Sequence, residues 1–260
     1  MAEQTMAGKT LFVSGGTRGI GKAIVYAFAE RGCNVAFTYA SSADSANEII
    51  ADIESKYAVK SRAYKLDILE PNTYKDVYKE FDEEFDRLDF FISNAIISGR
   101  AVVGGFGPFM RLKPKGLGNI WTATVEAFVV GAQEAAKRME KVGGGSIISM
   151  SSTGNLVFTP NYAGHGSNKA AVETMVRYAA AELGEKNIRV NAVSGGPIDT
   201  DALKAFPNYE EVKAEVVARS PLSRMGDATD LTGACLFLCE QSASWLTGQT
   251  IVVDGGTSFQ

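Results

Sequence analysis

Tyr162 and Lys169 stand seven residues apart in a stretch of helical period, and Ser152 lies ten residues before the tyrosine. Seven residues is nearly two turns of α-helix, so a phenol and an ammonium at this spacing project from one face. A phenol can stabilise an oxygen on which charge gathers during a reaction, and a nearby cation favours its ionised form. Ser152 is expected within reach of the same oxygen. His165, the chain's single histidine, competes for the proton-donating role, four residues before Lys169. An imidazole with an ordinary pKa of about 6.5 can protonate an alkoxide. The alternative for His165 is a helix or loop residue without a chemical role.

A second constellation lies near the N-terminus. The apolar run at Thr10–Ser14 leads directly into Gly15-Gly16-Thr17-Arg18-Gly19-Ile20-Gly21 and then into a helical pattern. Glycines permit positive φ and close approach of backbone to a pyrophosphate, while a helix N-terminus offers N–H groups and a positive dipole end. Strand before and helix after make this a dinucleotide-binding turn rather than a plain tight turn. An NAD site usually ends its second strand with an acid for the ribose 2′-hydroxyl. Here that segment reads Thr38-Tyr39-Ala40-Ser41-Ser42, with no acid before Asp44. Arg18 is placed to lie over an adenosine phosphate, with Ser41 or Ser42 donating to it, so the pattern favours NADP(H).

These groups need a scaffold, and the chain supplies one. Its 260 residues are 45% hydrophobic and 22% charged, which is globular composition with material for a large core. No linker divides it, so one domain is expected. The net charge of -4 and pI of about 5.3 lack the basic stripe of a nucleic-acid surface. No apolar run approaches bilayer length, and Met1–Lys9 holds no signal-peptide core, so no membrane association and a cytoplasmic location are expected. Cys33, Cys235 and Cys239 suit a reducing compartment and are read as buried packing, with no metal site.

Short apolar runs alternate with longer segments of helical period. Strands are predicted at Thr10–Ser14, Asn34–Thr38, Ser61–Leu66, Phe90–Ser93, Ser146–Met150, Arg189–Val193 and Thr250–Val253. Helices are predicted at Arg18–Arg31, Ser45–Tyr57, Asn72–Phe85, Leu117–Lys141, Asn161–Glu185 and Asp227–Glu240. The fold class is α/β: a single doubly wound Rossmann domain, with a seven-stranded parallel sheet and helices on both faces. Ile96–Lys115 and Gly195–Met225 break the alternation after strand ends, where open α/β sheets bind ligands, and are read as substrate-covering loops. Phe106, Phe109 and Trp121 either line an acyl channel or pack in the interior.

With these residues in hand, the whole chain resembles the short-chain dehydrogenase/reductase superfamily. The resemblance rests on Gly15–Gly21, Asp67-Ile68, Ser93-Asn94-Ala95, Ser151-Ser152, Tyr162, Lys169, the run Asn191 to Pro197, and Val253-Asp254-Gly255-Gly256. It implies a homotetramer and a catalytic serine, tyrosine and lysine. It also implies that Asp67 and Ile68 flank the adenine, that Asn94 and Ala95 flank the adenosine ribose, and that Gly196, Pro197, Ile198 and Thr200 lie on the nicotinamide side. Ketoreductases of the superfamily space tyrosine and lysine four apart. The longer spacing here adds three residues, ~4.5 Å of axial rise, and resembles enoyl-acyl-carrier-protein reductases.

In conjugate reduction, hydride reaches the β-carbon while charge gathers on an oxygen two bonds further away, so the acid must sit farther from the nicotinamide. Ala132–Lys137 and Val193–Leu203 look most like the NADPH-dependent FabL type. The resemblance thus implies reduction of trans-2-enoyl thioesters on acyl carrier protein, with Tyr162 on the thioester carbonyl and Lys169 on the nicotinamide ribose. Thr124 stands where many members keep an asparagine, and Ser93-Asn94-Ala95-Ile96 replaces the usual Asn-Asn-Ala-Gly. The rival enzyme is a 3-oxoacyl-acyl-carrier-protein or other carbonyl reductase of the same fold. A rival of another class is a non-catalytic NADP-binding sensor or scaffold.

Overall fold

The computed structural model describes residues 4–97, 102–204 and 209–259, without the side chains of Asp201 and Ala202. Its strands are β1 (Thr10–Val13), β2 (Asn34–Tyr39), β3 (Ser61–Lys65), β4 (Phe90–Ser93), β5 (Gly145–Ser152), β6 (Ile188–Gly195) and β7 (Thr250–Val253). All pair in parallel, in the order β3-β2-β1-β4-β5-β6-β7. The helices are α1 (Gly19–Glu30), α2 (Ala43–Lys56), α3 (Tyr74–Glu84), α4 (Pro114–Trp121), α5 (Ala127–Lys141), α6 (Ala163–Leu183), α7 (Asp201–Lys204), α8 (Tyr209–Arg219) and α9 (Thr232–Cys239).

The alternation of side chains along each strand explains why both faces are covered. On β1, Phe12 packs with Tyr74, Tyr78, Phe81 and Phe91 beneath α3, α5 and α6. Its neighbours Leu11 and Val13 face the opposite way, into Ile24, Phe28, Ile53 and Leu238 beneath α1, α2 and α9. Phe12, Phe28, Phe91 and Phe128 are wholly or almost wholly buried, and truncating any of them to alanine removes about 3–5 kcal/mol. Cys33, Cys235 and Cys239 are free and belong to the second core, as packing residues.

The strand order reverses beside β1. The chain first winds outward through β2 and β3, then returns to place β4 on the other side of β1 and continues to β7. Connections therefore leave in opposite directions from the carboxyl ends of β1 and β4, and a crevice opens between them.

Several boundaries differ from those the sequence predicts. The helix predicted at Leu117–Lys141 is α4 and α5, joined by a π-helical turn at Thr122–Glu126 that contains Thr124. The helix predicted from Asn161 begins at Ala163, because Asn161 adopts a left-handed φ of 65° and leaves Tyr162 as the N-cap residue. The Asp227–Glu240 helix opens as a 3-10 turn at Ala228–Leu231, held by a capping box between Asp227 and Asp230. Strands β5 and β6 run on to Ser152 and Gly195, so Ser152 projects from a sheet end rather than a loop.

Of the two expected covering loops, the first contains a 3-10 turn at Phe109–Arg111 and the start of α4; the second contains α7 and α8. Residues 98–101 and 205–208, including Pro207, lie outside the described set. No helix among the described residues is long and apolar enough to cross a membrane.

Candidate active site

The glycine turn is braced from two sides. Gly15 N donates to Thr38 Oγ1 at 3.0 Å and Gly16 N to Thr38 O at 2.9 Å, which ties the turn to the end of β2. Asn94 Nδ2 donates to Ser14 O and Gly15 O at 3.1 and 2.9 Å, while Ser14 Oγ accepts from Asn94 N and Ala95 N. Both amide protons of Asn94 are therefore spent on the turn, which makes this side chain a brace for the glycine loop. Gly15 has φ of 73°, a left-handed backbone that glycine adopts without strain. A side chain on Gly21 would collide with the Gly15 carbonyl.

The N-terminus of α1 points out of this turn. Its N-cap is Arg18, extended and exposed, which makes no side-chain cap; the first turn carries no acid. The N–H groups of that turn are left for an outside acceptor, and the dipole end is positive. This cradle fits the pyrophosphate of a dinucleotide.

A cleft of ≈ 540 Å³ runs across the carboxyl ends of the strands, within the range of small-molecule sites. Gly15, Thr17, Arg18, Gly19, Ile20 and Gly21 form one wall. Ser41 from the end of β2 and Asp67 and Ile68 after β3 close one end, while Asn94 and Ala95 follow β4. Ser152, Tyr162, Lys169, Gly196, Ile198 and Thr200 line the other end. Ser42 and Pro197 do not join them. Ser42 is the exposed N-cap residue of α2, and Pro197 faces a separate cavity of ≈ 100 Å³ beside Leu222, Arg224 and Asp254.

Tyr39, Met150, Ser151, Ile96, Ile97 and Leu231, which the sequence reading did not assign to the site, also line the cleft. Phe106, Phe109 and Trp121 do not: Phe109 is 76% exposed, and Phe106 packs edge-on to Tyr162 at 6.3 Å.

The geometry around Tyr162 follows from close approaches. Its ring lies over Gly154, where an added Cβ would stand 2.5 Å away. His165 stacks on the ring at 5.4 Å. Gly107 N donates to Asn161 O at 3.0 Å, which anchors the preceding loop to the start of α6. Ser152 Oγ accepts from Gly154 N at 3.3 Å.

Burial pushes the Tyr162 phenol above its ordinary pKa, and the Ser152 hydroxyl draws it partly back. The phenol is therefore neutral at pH 7 and able to donate. The expected help from Lys169 in ionising it is not seen, because Lys169 Nζ is buried and donates to Met150 O at 2.7 Å. Burial brings Lys169 down to about 8, with Glu173 one turn along α6 working in the opposite direction. His165 is pulled down to about 4 by burial and then by the Lys169 charge, so it is neutral at pH 7; it does not line the cleft.

Residues 15–258 match the family model described as "Enoyl-(Acyl carrier protein) reductase". The chain is 36% identical to 1-cyclohexenylcarbonyl-CoA reductase of Streptomyces collinus, covering 95% of this chain and 86% of that protein. It is 33% identical to 3-oxoacyl-[acyl-carrier-protein] reductase FabG of Staphylococcus aureus, over 95% and 97%. Among solved structures, 7 alpha-hydroxysteroid dehydrogenase complexed with NADH and 7-oxo glycochenodeoxycholic acid superposes with a TM-score of 0.88 at 32% identity, over 98% and 96%. The braced glycine turn, the crevice at the strand reversal and these likenesses agree: the chain belongs to the short-chain dehydrogenase/reductase superfamily and is an oxidoreductase.

Proposed function

We propose that this single-domain protein reduces the 2,3 double bond of trans-2-enoyl thioesters at the expense of NADPH. The observation that carries the reading is which aromatic acid reaches the cleft. Tyr162, seven residues before Lys169, lines it together with Ser152, whereas His165, four residues before Lys169, does not. The phenol thus stands on the wall two helical turns ahead of the ammonium, at the spacing suited to an oxygen remote from the carbon that accepts hydride.

The cofactor supplies hydride when bound. The glycine turn and the α1 N-terminus hold its pyrophosphate, and Lys169 holds the adjacent ribose. Tyr162, kept neutral by burial, donates a hydrogen bond to the thioester carbonyl and stabilises the enolate oxygen as charge arrives. Ser152 orients the phenol. Preference for the 2′-phosphate rests on Arg18 and Ser41, both on the cleft wall, and on the absence of a carboxylate from Tyr39-Ala40-Ser41.

The direct test offers crotonyl and acetoacetyl thioesters, on acyl carrier protein and on coenzyme A, and follows NADPH oxidation. Turnover of crotonyl thioester at least tenfold faster than of acetoacetyl thioester supports the reading; the reverse ratio overturns it in favour of a 3-oxoacyl reductase. That second reading draws on the FabG relative's name. The 1-cyclohexenylcarbonyl-CoA reductase relative, whose named substrate is an α,β-unsaturated thioester, favours the first.

We further propose a cytoplasmic homotetramer acting on a carrier-bound acyl group. The exposed Phe237 on α9, Trp245 in the turn that follows it and Val252 on the edge strand β7 are apolar surface that a second copy would cover. Light scattering gives the assembly size.

A further inference from the structure

Two opposite charges are buried one turn apart on α6, and β5 holds each of them separately. Lys169 Nζ donates to the carbonyl of Met150 at 2.7 Å. Ser151, the next residue of the strand, donates its hydroxyl to Glu173 Oε1 at 2.5 Å. Lys169 and Glu173 are each 7% exposed, and they make no contact ion pair. Met150, Ser151 and Lys169 all line the cleft; Glu173 lies behind them.

A buried carboxylate is an expensive core residue. Desolvation rivals whatever attraction it gains, and apolar replacements of buried ion pairs are often neutral or stabilising. Packing alone gives no reason for Glu173 at a position where α6 otherwise turns Val172 and Val176 towards the sheet. The arrangement has a chemical use instead. A carboxylate in contact with the ammonium would consume its protons. Held one turn away by a serine, it lends its field and takes none.

We propose that Glu173, anchored by Ser151, is a positioning residue of the active site, sustaining the positive charge of Lys169 while leaving the ammonium's remaining protons to the cleft. This rests on the reading of Lys169 as the group that holds the nicotinamide ribose.

The surroundings leave Glu173 as the charge best placed to do so. On α6 itself, His165 is neutral at pH 7 and Tyr162 is held neutral by burial. On β5, Lys169 donates to the Met150 carbonyl, a neutral partner. Of the other elements packed on α6, α4 and the π turn carry the exposed Lys115 and Glu126. Glu134 on α5 is committed to Lys137 and Arg138, and Arg189 sits at the start of β6, the far end from the cleft. Asp67 is the one carboxylate among the described residues lining the cleft, and it sits beyond β3. Burial lowers the Lys169 pKa and Glu173 raises it, which is the direction the proposal needs.

The test titrates Lys169 directly in the NADPH-bound enzyme, by NMR of 13Cε-labelled lysine with Lys169→Arg fixing the assignment, beside the pH profile of kcat/KM. Glu173→Gln keeps the volume and an acceptor for Ser151 but loses the charge. Its Lys169 titration and its alkaline limb should both move to lower pH, by roughly one unit at an effective dielectric of protein interiors. Glu173→Asp should restore most of the shift.

Ser151→Ala keeps the charge and frees the carboxylate to close on Lys169. That variant should move the titration upward and weaken NADPH binding. Unchanged Lys169 titrations in Glu173→Gln and Ser151→Ala overturn the proposal. Full turnover in Lys169→Ala would instead overturn the role given to the lysine, with the NMR shifts still reporting on Glu173.

Discussion

Tyr162 and His165 stack at 5.4 Å with their planes 23° apart, yet only the tyrosine lines the cleft. The two candidate acids thus form one aromatic pair, of which only the phenol reaches the cleft. Tyr162→Phe should lower kcat by about 10²–10³-fold, the loss of one oxyanion donor, with NADPH affinity unchanged. His165→Phe should retain turnover within a few fold. Steady-state kinetics on both variants with a crotonyl thioester checks the assignment, and the opposite pattern moves the acid to the imidazole.

His165 has a second measurable consequence. Burial lowers its pKa from 6.5 to about 4, so between those values the unfolded chain takes up a proton that the folded chain refuses. Its contribution to stability is complete above pH 6.5 and is lost as pH falls towards 4, on the order of 2 kcal/mol for a partly solvated ring. Urea unfolding at pH 7 and pH 4.5 should show a smaller difference in His165→Phe than in the parent.

Lys169 sets the alkaline side. Its buried ammonium has a pKa of about 8, so it is protonated below that value and loses its charge as pH rises through it. NADPH affinity and kcat/KM should both decline above pH 8, since kcat/KM reports the free enzyme's essential groups. A flat profile to pH 10 in fluorescence titrations with NADPH would remove the lysine from the ribose.

The proposed preference for NADP(H) rests on Arg18. As the exposed N-cap of α1 on the cleft wall, it offers a guanidinium to a phosphate and little to a hydroxyl. Arg18→Ala should weaken NADPH binding about tenfold, some 1.4 kcal/mol, and leave NADH binding within a factor of two. Isothermal titration with each dinucleotide measures both numbers.

The floor under the phenol is equally exposed to mutation. A Cβ at Gly154 would stand 2.5 Å from the Tyr162 ring, too close for the ring to stay. Gly154→Ala should reduce kcat roughly tenfold through a displaced phenol, with the far-UV circular dichroism spectrum unchanged.

Much of this was readable before any coordinates. The glycine turn carries its own physics, because strand, glycines and helix each leave a local pattern. The short apolar run of β1 and its alternation with segments of helical period likewise forecast a sheet covered on both faces. Other features depend on partners distant in sequence. Glu173 reads as an ordinary helix carboxylate until β5 brings Ser151 against it, and the bracing of the glycine loop by Asn94 shows only once its amide meets Ser14 and Gly15. The π turn at Thr122–Glu126 contains neither glycine nor proline, so no local signal marks it. Tyr162 falls outside α6 because Asn161 turns left-handed, a choice set by the Gly107 N–H that its carbonyl accepts.

The reversal of strand order beside β1 separates two tasks along the chain. The dinucleotide cradle is welded to the sheet through Thr38, Ser14 and Asn94, while the proposed function assigns selectivity for the reacting molecule to the connections beyond Ala95 and Thr200. Among the described residues, the stretches of those connections beyond Ala95 and beyond Thr200 hold none of the hydrogen bonds that brace the glycine turn. Grafting them from a relative with another substrate is therefore a route to new specificity that leaves the redox half of the machine intact.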